Sequence, residues 1–119
     1  MGIHGEAKLL RIFLGETDKI GSVNVYEKIV REARQKNLAG ATVYRGIMGF
    51  GKNSRIHTSK ILRLSEDLPL VIEIVDEAKK IEDFIPVIEE ILDQANSGAL
   101  VTVEKAEIIK YSTSKNKSS

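Results

Sequence analysis

The sequence contains no cysteine and no tryptophan, and its 119 residues include only two prolines and two histidines. Without cysteine there is no disulfide framework, no thiolate nucleophile and no cysteine-based zinc site. His4 and His57 are the only imidazole ligands, and no other histidine or carboxylate lies at ligand spacing from His57. We therefore expect no metal site.

Long apolar runs are also missing. No stretch approaches the roughly 18 to 20 apolar residues that a membrane-spanning helix needs, and no apolar signal core follows the N-terminus. We expect a cytoplasmic protein with no direct membrane insertion.

The 42% hydrophobic and 29% charged residues are typical of a soluble globular chain, and 119 residues leave too little apolar surface for a second core. We predict a single domain over residues 1–111 and a disordered tail over 112–119.

The hydrophobic patterns predict four main strands and two helices. Their ranges are, in chain order, strand 7–14, helix 25–38, strand 41–45, strand material in pieces from 56 to 75, helix 81–95, and strand material over 100–103 and 107–111. Ser22 or Asn24 could cap the first helix and Gly40 could end it. Pro86 interrupts the second helix without shifting its apolar stripe, so we expect one bent helix that ends at Asn96–Gly98.

This βαββαβ order predicts an α+β, ferredoxin-like fold, in which two helices cover one face of a four-stranded antiparallel sheet. The strand residues Leu70, Ile72 and Ile74 alternate with Val71 and Val75, so both faces of the sheet are apolar. The chain has no third layer to cover the second face. We therefore expect that face to meet other copies of the chain, a monomer with some apolar surface being the alternative.

Charge is unevenly distributed although the net charge is only +1. The segment from Arg45 to Ser65 has five basic residues and no acid, whereas the segment from Glu66 to Ala95 has ten acids and two lysines. Glycines let successive backbone N–H groups converge on an anion, and a nearby cation adds full charge. Residues 49–52 (GFGK) are therefore a candidate phosphate cradle. A flexible, solvated hairpin loop would explain the same residues.

Three other kinds of site find little support. Residues 46–53 (GIMGFGKN) approach the nucleotide-binding P-loop pattern, but Asn53 replaces the hydroxyl that would hold magnesium. No paired aromatic pattern on a central strand indicates RNA binding, so we expect no nucleic-acid partner. The sequence offers no assembled nucleophile, base and oxyanion site, so we do not expect an enzyme.

Several segments resemble the nitrogen-regulatory PII signalling proteins. Residues 40–51 (GATVYRGIMGFG) resemble the G-x-T-V-x-x-x-x-G-F-G run of those proteins, with one residue more between Val43 and Gly49. His57-Thr58 resembles the His-Thr that opens their long T-loop, and residues 71–75 (VIEIV) resemble the strand that follows it. Together with residues 106–111 (AEIIKY), these segments are most similar to the uncharacterised PII-like family of small bacterial and archaeal proteins.

The resemblance implies a homotrimer that holds an adenine nucleotide between neighbouring subunits. The nucleotide contacts that it implies are Thr42, Gly49, Phe50, Gly51, Lys52, Val75 and Lys110. A second phosphate-binding loop of the family is reduced here to residues 96–100 (NSGAL), which favours AMP, ADP or a cyclic nucleotide over a triphosphate. The family's modifiable loop tyrosine is missing from residues 52–68, which excludes uridylylation at that position.

The sequence therefore predicts a non-catalytic sensor with no obligatory cofactor. Nucleotide binding would order the loop over residues 46–64, which then contacts an unidentified protein or membrane-transporter partner through Arg55, His57 and Lys60. Two alternatives on the same fold remain open: a metal- or ion-tolerance trimer, as in copper-tolerance-like proteins, and a small hydrolase of phosphate compounds.

Overall fold

The computed structural model describes residues 6–50, 57–58 and 68–112. These residues form two helices, a four-stranded sheet and two short two-stranded ladders. The elements are, in chain order, β1 (Glu6–Gly15), β2 (Lys19–Ile20), β3 (Val23–Asn24), α1 (Val25–Gln35), β4 (Thr42–Arg45), β5 (Met48–Gly49), β6 (His57–Thr58), β7 (Pro69–Glu77), α2 (Ala78–Ala95) and β8 (Leu100–Glu107).

The main sheet has the order β4-β7-β1-β8, and all of its neighbouring strands are antiparallel. In the central strand β1, Ile12 lies opposite Ile72 of β7 on one side and Val101 of β8 on the other. The predicted α+β, ferredoxin-like arrangement is confirmed, with β4 and β8 at the two edges.

The core lies between the helices and one face of the sheet. On that face Leu10 and Ile12 of β1 and Ile72 and Ile74 of β7 are almost completely buried. They pack against the buried helix residues Val25, Ile29, Ala33, Ile81, Phe84, Ile88 and Ile91. Burying one such large apolar side chain stabilises the fold by about 1.5 to 3 kcal/mol, so this layer dominates the stability of the chain.

Helix α2 runs without interruption through Pro86, as the continuous apolar stripe predicts. Asn96 follows in the left-handed conformation with φ of 52°, and its N–H bonds to the last turn of the helix. The predicted end of this helix is therefore confirmed.

Helix α1 ends three residues earlier than the sequence predicts. Asn37, with φ of 59°, turns the chain before Leu38, so the prediction that Gly40 stops the helix was wrong. Asn24 occupies the N-cap position, but its side chain makes no cap hydrogen bond and donates to the Glu16 carbonyl instead. Asparagine tolerates the left-handed conformation found at Asn37 because its short polar side chain can form local hydrogen bonds.

Strand β8 ends at Glu107, so the prediction of strand structure over residues 108–111 was wrong. Glu107 is paired with Glu6, the first described residue of β1, and beyond this pair β8 has no described neighbour to bond. The segment of residues 108–111 instead crosses the end of the sheet towards the loop before β4, where Tyr111 bonds to Ala39.

The face of the sheet opposite the helices is left open by the single chain. We call it the open face; it carries the strand residues that alternate with the core positions. Phe13 and Val75 are each 37% exposed there, and Leu100, opposite Phe13 in β8, is 59% exposed. None of the helices in the described ranges combines the length and apolar character needed to span a membrane.

Candidate functional site

A groove of about 670 Å³ lies on the open face near the edge strand β4. Its inner wall consists of residues 39–42 together with Glu73 and Val75, and its outer wall consists of residues 107–111. The groove therefore exists because the chain crosses the sheet end after β8 and returns towards β4.

Strand register brings the inner wall together. Thr42 lies directly opposite Glu73 in the β4–β7 pair, so both side chains are on the same face of the sheet. Val75 follows Glu73 at the two-residue period of a strand and shares that face. A hydroxyl, a carboxylate and an apolar side chain are thus placed side by side by a rigid sheet.

Asp76 anchors the loop that leads into this wall. Its side chain is buried, and its two carboxylate oxygens accept bonds from the backbone N–H groups of Ala39, at 2.8 Å, and Glu77, at 2.7 Å. Our sequence analysis missed this residue. The signal was an acid at the position that continues the buried alternation of Leu70, Ile72 and Ile74, because a buried carboxylate must find donors.

A row of polar side chains crosses the open face, with one residue from each strand of the sheet. We call Tyr44, Glu73, Arg11 and Glu104 the polar row. Arg11 donates from Nε to Glu73 Oε2 at 2.8 Å and from Nη1 to Glu104 Oε1 at 3.0 Å. Tyr44 donates its hydroxyl to the same Glu73 oxygen at 2.8 Å. Glu73 therefore belongs both to the polar row and to the wall of the groove.

These bonds shift the ionisation of the row. The Arg11 guanidinium, followed by the Tyr44 hydroxyl, lowers the pKa of Glu73. Glu73 in turn raises the pKa of Tyr44 and that of Arg11 through the same hydrogen bonds. The row is therefore held in the state of an ionised carboxylate, a protonated phenol and a protonated guanidinium at neutral pH.

This shift predicts a pH dependence of stability. The pKa of Glu73 is lower in the folded than in the unfolded chain. The ionised carboxylate therefore stabilises the fold fully above the ordinary glutamate pKa of about 4.3, and this stabilisation is lost as the pH falls through the lowered pKa of the folded chain. Between about pH 6 and pH 3 we expect the melting temperature of the wild type to fall more steeply than that of Glu73→Gln. Equal slopes would contradict the prediction, and Glu90→Gln on the exposed side of α2 is the control.

The groove contains three of the residues that the sequence resemblance assigned to a nucleotide. Thr42, Val75 and Lys110 all line it. Gly49 and Phe50 are not among its lining residues. Four further predicted site residues lie outside the described ranges: Gly51, Lys52, Arg55 and Lys60. His57 is described only as a backbone position, paired with Gly49 between β5 and β6.

Two glycines, one before the predicted cradle and one at its first position, pack against a proline ring. A Cβ atom added at Gly46 would lie 2.9 Å from Cγ of Pro69, and one added at Gly49 would lie 3.2 Å from the same atom. The Gly46 N–H also donates to the Pro69 carbonyl at 2.7 Å. Close packing thus explains both glycines without an anion, which supports the hairpin interpretation of this part of the loop.

The charge of the groove restricts what it can hold. Among its described lining residues, Lys110 is the one cation, whereas Glu73 and Glu107 are carboxylates. Such a surface suits a neutral group rich in hydrogen-bond donors better than a cluster of phosphates, which carbonyl and carboxylate oxygens repel. The described ranges contain no group of three or more histidine and acidic residues placed to hold a metal ion.

The sequence has recognisable relatives. The model of the DUF190 family, described as uncharacterized ACR, matches residues 7–108. A UPF0166 protein of Aquifex aeolicus is 40% identical over 102 residues, which are 86% of this chain and 92% of that protein. A UPF0166 protein of Methanocaldococcus jannaschii is 34% identical over 99 residues, which are 83% of this chain and 89% of that protein.

Solved structures share the fold at low sequence identity. One is CPII, a nitrogen regulatory PII-like protein from Thiomonas intermedia K12, with a TM-score of 0.61 and 14% identity over 87% of this chain and 91% of CPII. Another is a putative PII-like signaling protein from Thermus thermophilus, with a TM-score of 0.55 and 15% identity over 85% of this chain and 87% of that protein.

Proposed function

The chain belongs to the DUF190 family and has the fold of PII-like proteins, and on this premise we propose that it is a non-catalytic regulatory protein that binds an adenine nucleotide in the groove. One observation carries the proposal. Thr42, Val75 and Lys110 are far apart in the sequence, yet they line the same groove. The structure of CPII was obtained with ADP, AMP and bicarbonate bound to that protein.

The chemistry of the walls suggests how the ligand lies. Val75 offers an apolar surface to the base, and the Thr42 hydroxyl together with the backbone of residues 40–41 offers hydrogen-bond partners to the nucleoside. Lys110 is the described cation for a phosphate. Because Glu73 and Glu107 repel additional phosphate charge, we propose AMP or ADP as the ligand. Lys52, which lies outside the described residues, would supply further positive charge.

The open face supports a homotrimer. Phe13 and Leu100, which lie opposite each other, and Val75, on the other side of the polar row, expose apolar surface in the single chain, and exposed apolar patches mark interaction surfaces. The groove opens on the same face, so neighbouring subunits would meet beside it. We therefore place the nucleotide at the boundary between subunits, in a trimer whose sheets face one another.

Strand β4 connects the groove to the predicted partner loop of residues 46–64. The strand contributes Thr42 to the groove, and its last residue, Arg45, donates to the Glu16 carboxylate. The two ends of the segment that follows are fixed by the Gly46 N–H bond to Pro69 and by the Glu16 N–H bond to the Leu68 carbonyl at 2.9 Å. We propose that the nucleotide acts through β4 on this loop, whose partner is a cytoplasmic protein or a membrane transporter.

Binding is tested by thermal denaturation and calorimetry with AMP, ADP, ATP and cyclic AMP, each with and without Mg²⁺ and bicarbonate. A ligand at about 100 times its dissociation constant stabilises the native state by about 2.7 kcal/mol, which is a measurable rise in melting temperature. We expect AMP and ADP to give the largest rise. Indifference to all four nucleotides would reject the proposal, and release of phosphate from ATP, ADP or acetyl phosphate would reassign the protein as a hydrolase.

Lys110→Glu is expected to weaken ADP binding by at least about tenfold, because a hydrogen bond to a charged group contributes about 1.5 to 3 kcal/mol. The matched control is Lys105→Glu, which makes the same charge change on an exposed residue of β8 that does not line the groove. Calorimetric titration of the two variants gives the comparison. Equal affinities in both would remove Lys110 from the site.

A further inference from the structure

The outer wall of the groove is attached to the inner wall by one side chain. Tyr111 donates its hydroxyl to the Ala39 carbonyl at 2.7 Å, across 72 residues of sequence. The segment of residues 108–112 is not part of the sheet. Within the described part of the chain, no other hydrogen bond ties that segment to the rest of the fold.

The residue that accepts this bond is itself held from the opposite side. The Ala39 N–H donates to the buried Asp76 carboxylate, while the Ala39 carbonyl accepts from Tyr111. The loop is further tied by Lys80, whose Nζ donates to the Asn37 carbonyl at 2.8 Å. Tyr111 therefore bonds to a fixed point of the fold, since bonds from β7 and α2 hold this loop in place.

We propose that Tyr111 is the positioning residue of the groove. Its hydroxyl holds the outer wall against Ala39, whose own position is fixed by the bond to Asp76. The wall in turn presents the preceding residue, Lys110, to the ligand. This inference rests on the proposed function, because it assigns Tyr111 a role in that same site. Tyr111 acts through the placement of Lys110 and not by contact with the ligand.

Tyr111→Phe tests the proposal because it removes the hydroxyl alone. In the free protein we expect the backbone ¹⁵N order parameters of residues 108–112 to fall, while that of Ala39, whose N–H is bonded to Asp76, stays unchanged. We expect the affinity for ADP to fall about three- to tenfold, the range of one net hydrogen bond. Tyr26→Phe on α1 removes the same atom away from the groove and should change neither quantity.

A double-mutant cycle separates positioning from a general effect on the fold. If Tyr111 acts through Lys110, Tyr111→Phe weakens ADP binding in the wild type but causes no further loss in the Lys110→Ala background. It should also weaken the binding of adenosine, which has no phosphate, less than that of ADP. An equal loss of ADP affinity in both backgrounds overturns the proposal.

The order-parameter measurement keeps this inference distinct from the proposed function. Unchanged order parameters of residues 108–112 in Tyr111→Phe overturn the positioning role, whatever the ligand. Failure of the wild type to bind AMP or ADP rejects the proposed function, and the role of Tyr111 in a nucleotide site is then rejected with it. Lowered order parameters in that case would show only that the hydroxyl bond holds the wall.

Discussion

Arg11→Glu is expected to convert the assembled protein into single chains. Arg11 lies between Glu73 and Glu104 at the centre of the open face, so the substitution places three carboxylates side by side where the subunits of the proposed trimer meet. Like charges brought together at an interface oppose association strongly because they lose water without gaining a partner. Sedimentation equilibrium should give the mass of one chain for this variant and three chains for the wild type.

Arg31→Glu is the matched control for this experiment. Arg31 bonds to Glu27 on the surface of α1 and lies away from the open face, so the same charge change should leave the mass unchanged. A second variant, Leu100→Asp, changes an exposed residue of the edge strand β8 and should also give single chains if Arg11→Glu fails to fold. A wild-type mass for both open-face variants would contradict assembly through the open face, and a monomeric wild type would contradict the trimer.

Phe84→Ala is expected to lower the free energy of unfolding by about 3 to 5 kcal/mol, because the ring is 2% exposed between α2 and the sheet and its loss leaves a cavity. A loss of this size is a large fraction of the stability of a small domain. Urea denaturation followed by circular dichroism measures it.

Phe50→Ala makes the same chemical change at a ring that is 71% exposed, and we expect it to alter the unfolding free energy by less than about 0.5 kcal/mol. Phe84→Leu keeps most of the volume and provides a measurable variant if Phe84→Ala does not fold. Equal effects of the two alanine substitutions would show that Phe84 is not part of the core.

Local patterns were sufficient to predict the architecture. Alternation of Ile72 and Ile74 with Val71 and Val75 predicts a sheet buried on one face by helices and left apolar on the other, and the burial of these residues agrees. The errors arose at element ends. Strand β8 stops at Glu107, and α1 stops before the left-handed Asn37; neither event has a clear signature in one segment alone.

The candidate site was less predictable because long-range register creates it. The bonds of Arg11 to Glu73 and Glu104 join residues 62 and 93 positions apart, and only the final strand order brings them together. The inner and outer walls of the groove likewise meet through Tyr111 and Ala39. Resemblance to a known family predicted Thr42, Val75 and Lys110 as site residues, whereas Asp76 and Tyr111 emerge as anchors only from their contacts.

Glu73 lies both in the polar row and in the wall of the groove, and this position has a thermodynamic consequence. A ligand that donates a hydrogen bond to this carboxylate competes with its bonds to Arg11 and Tyr44, which lie where neighbouring subunits would dock. Ligand binding and self-association would then be linked, and such linkage is reciprocal. If the ligand changes the association constant of the subunits by some factor, association changes the affinity for the ligand by the same factor. Dilution alone would in that case change the measured dissociation constant, so titrations of this protein are best made at several subunit concentrations.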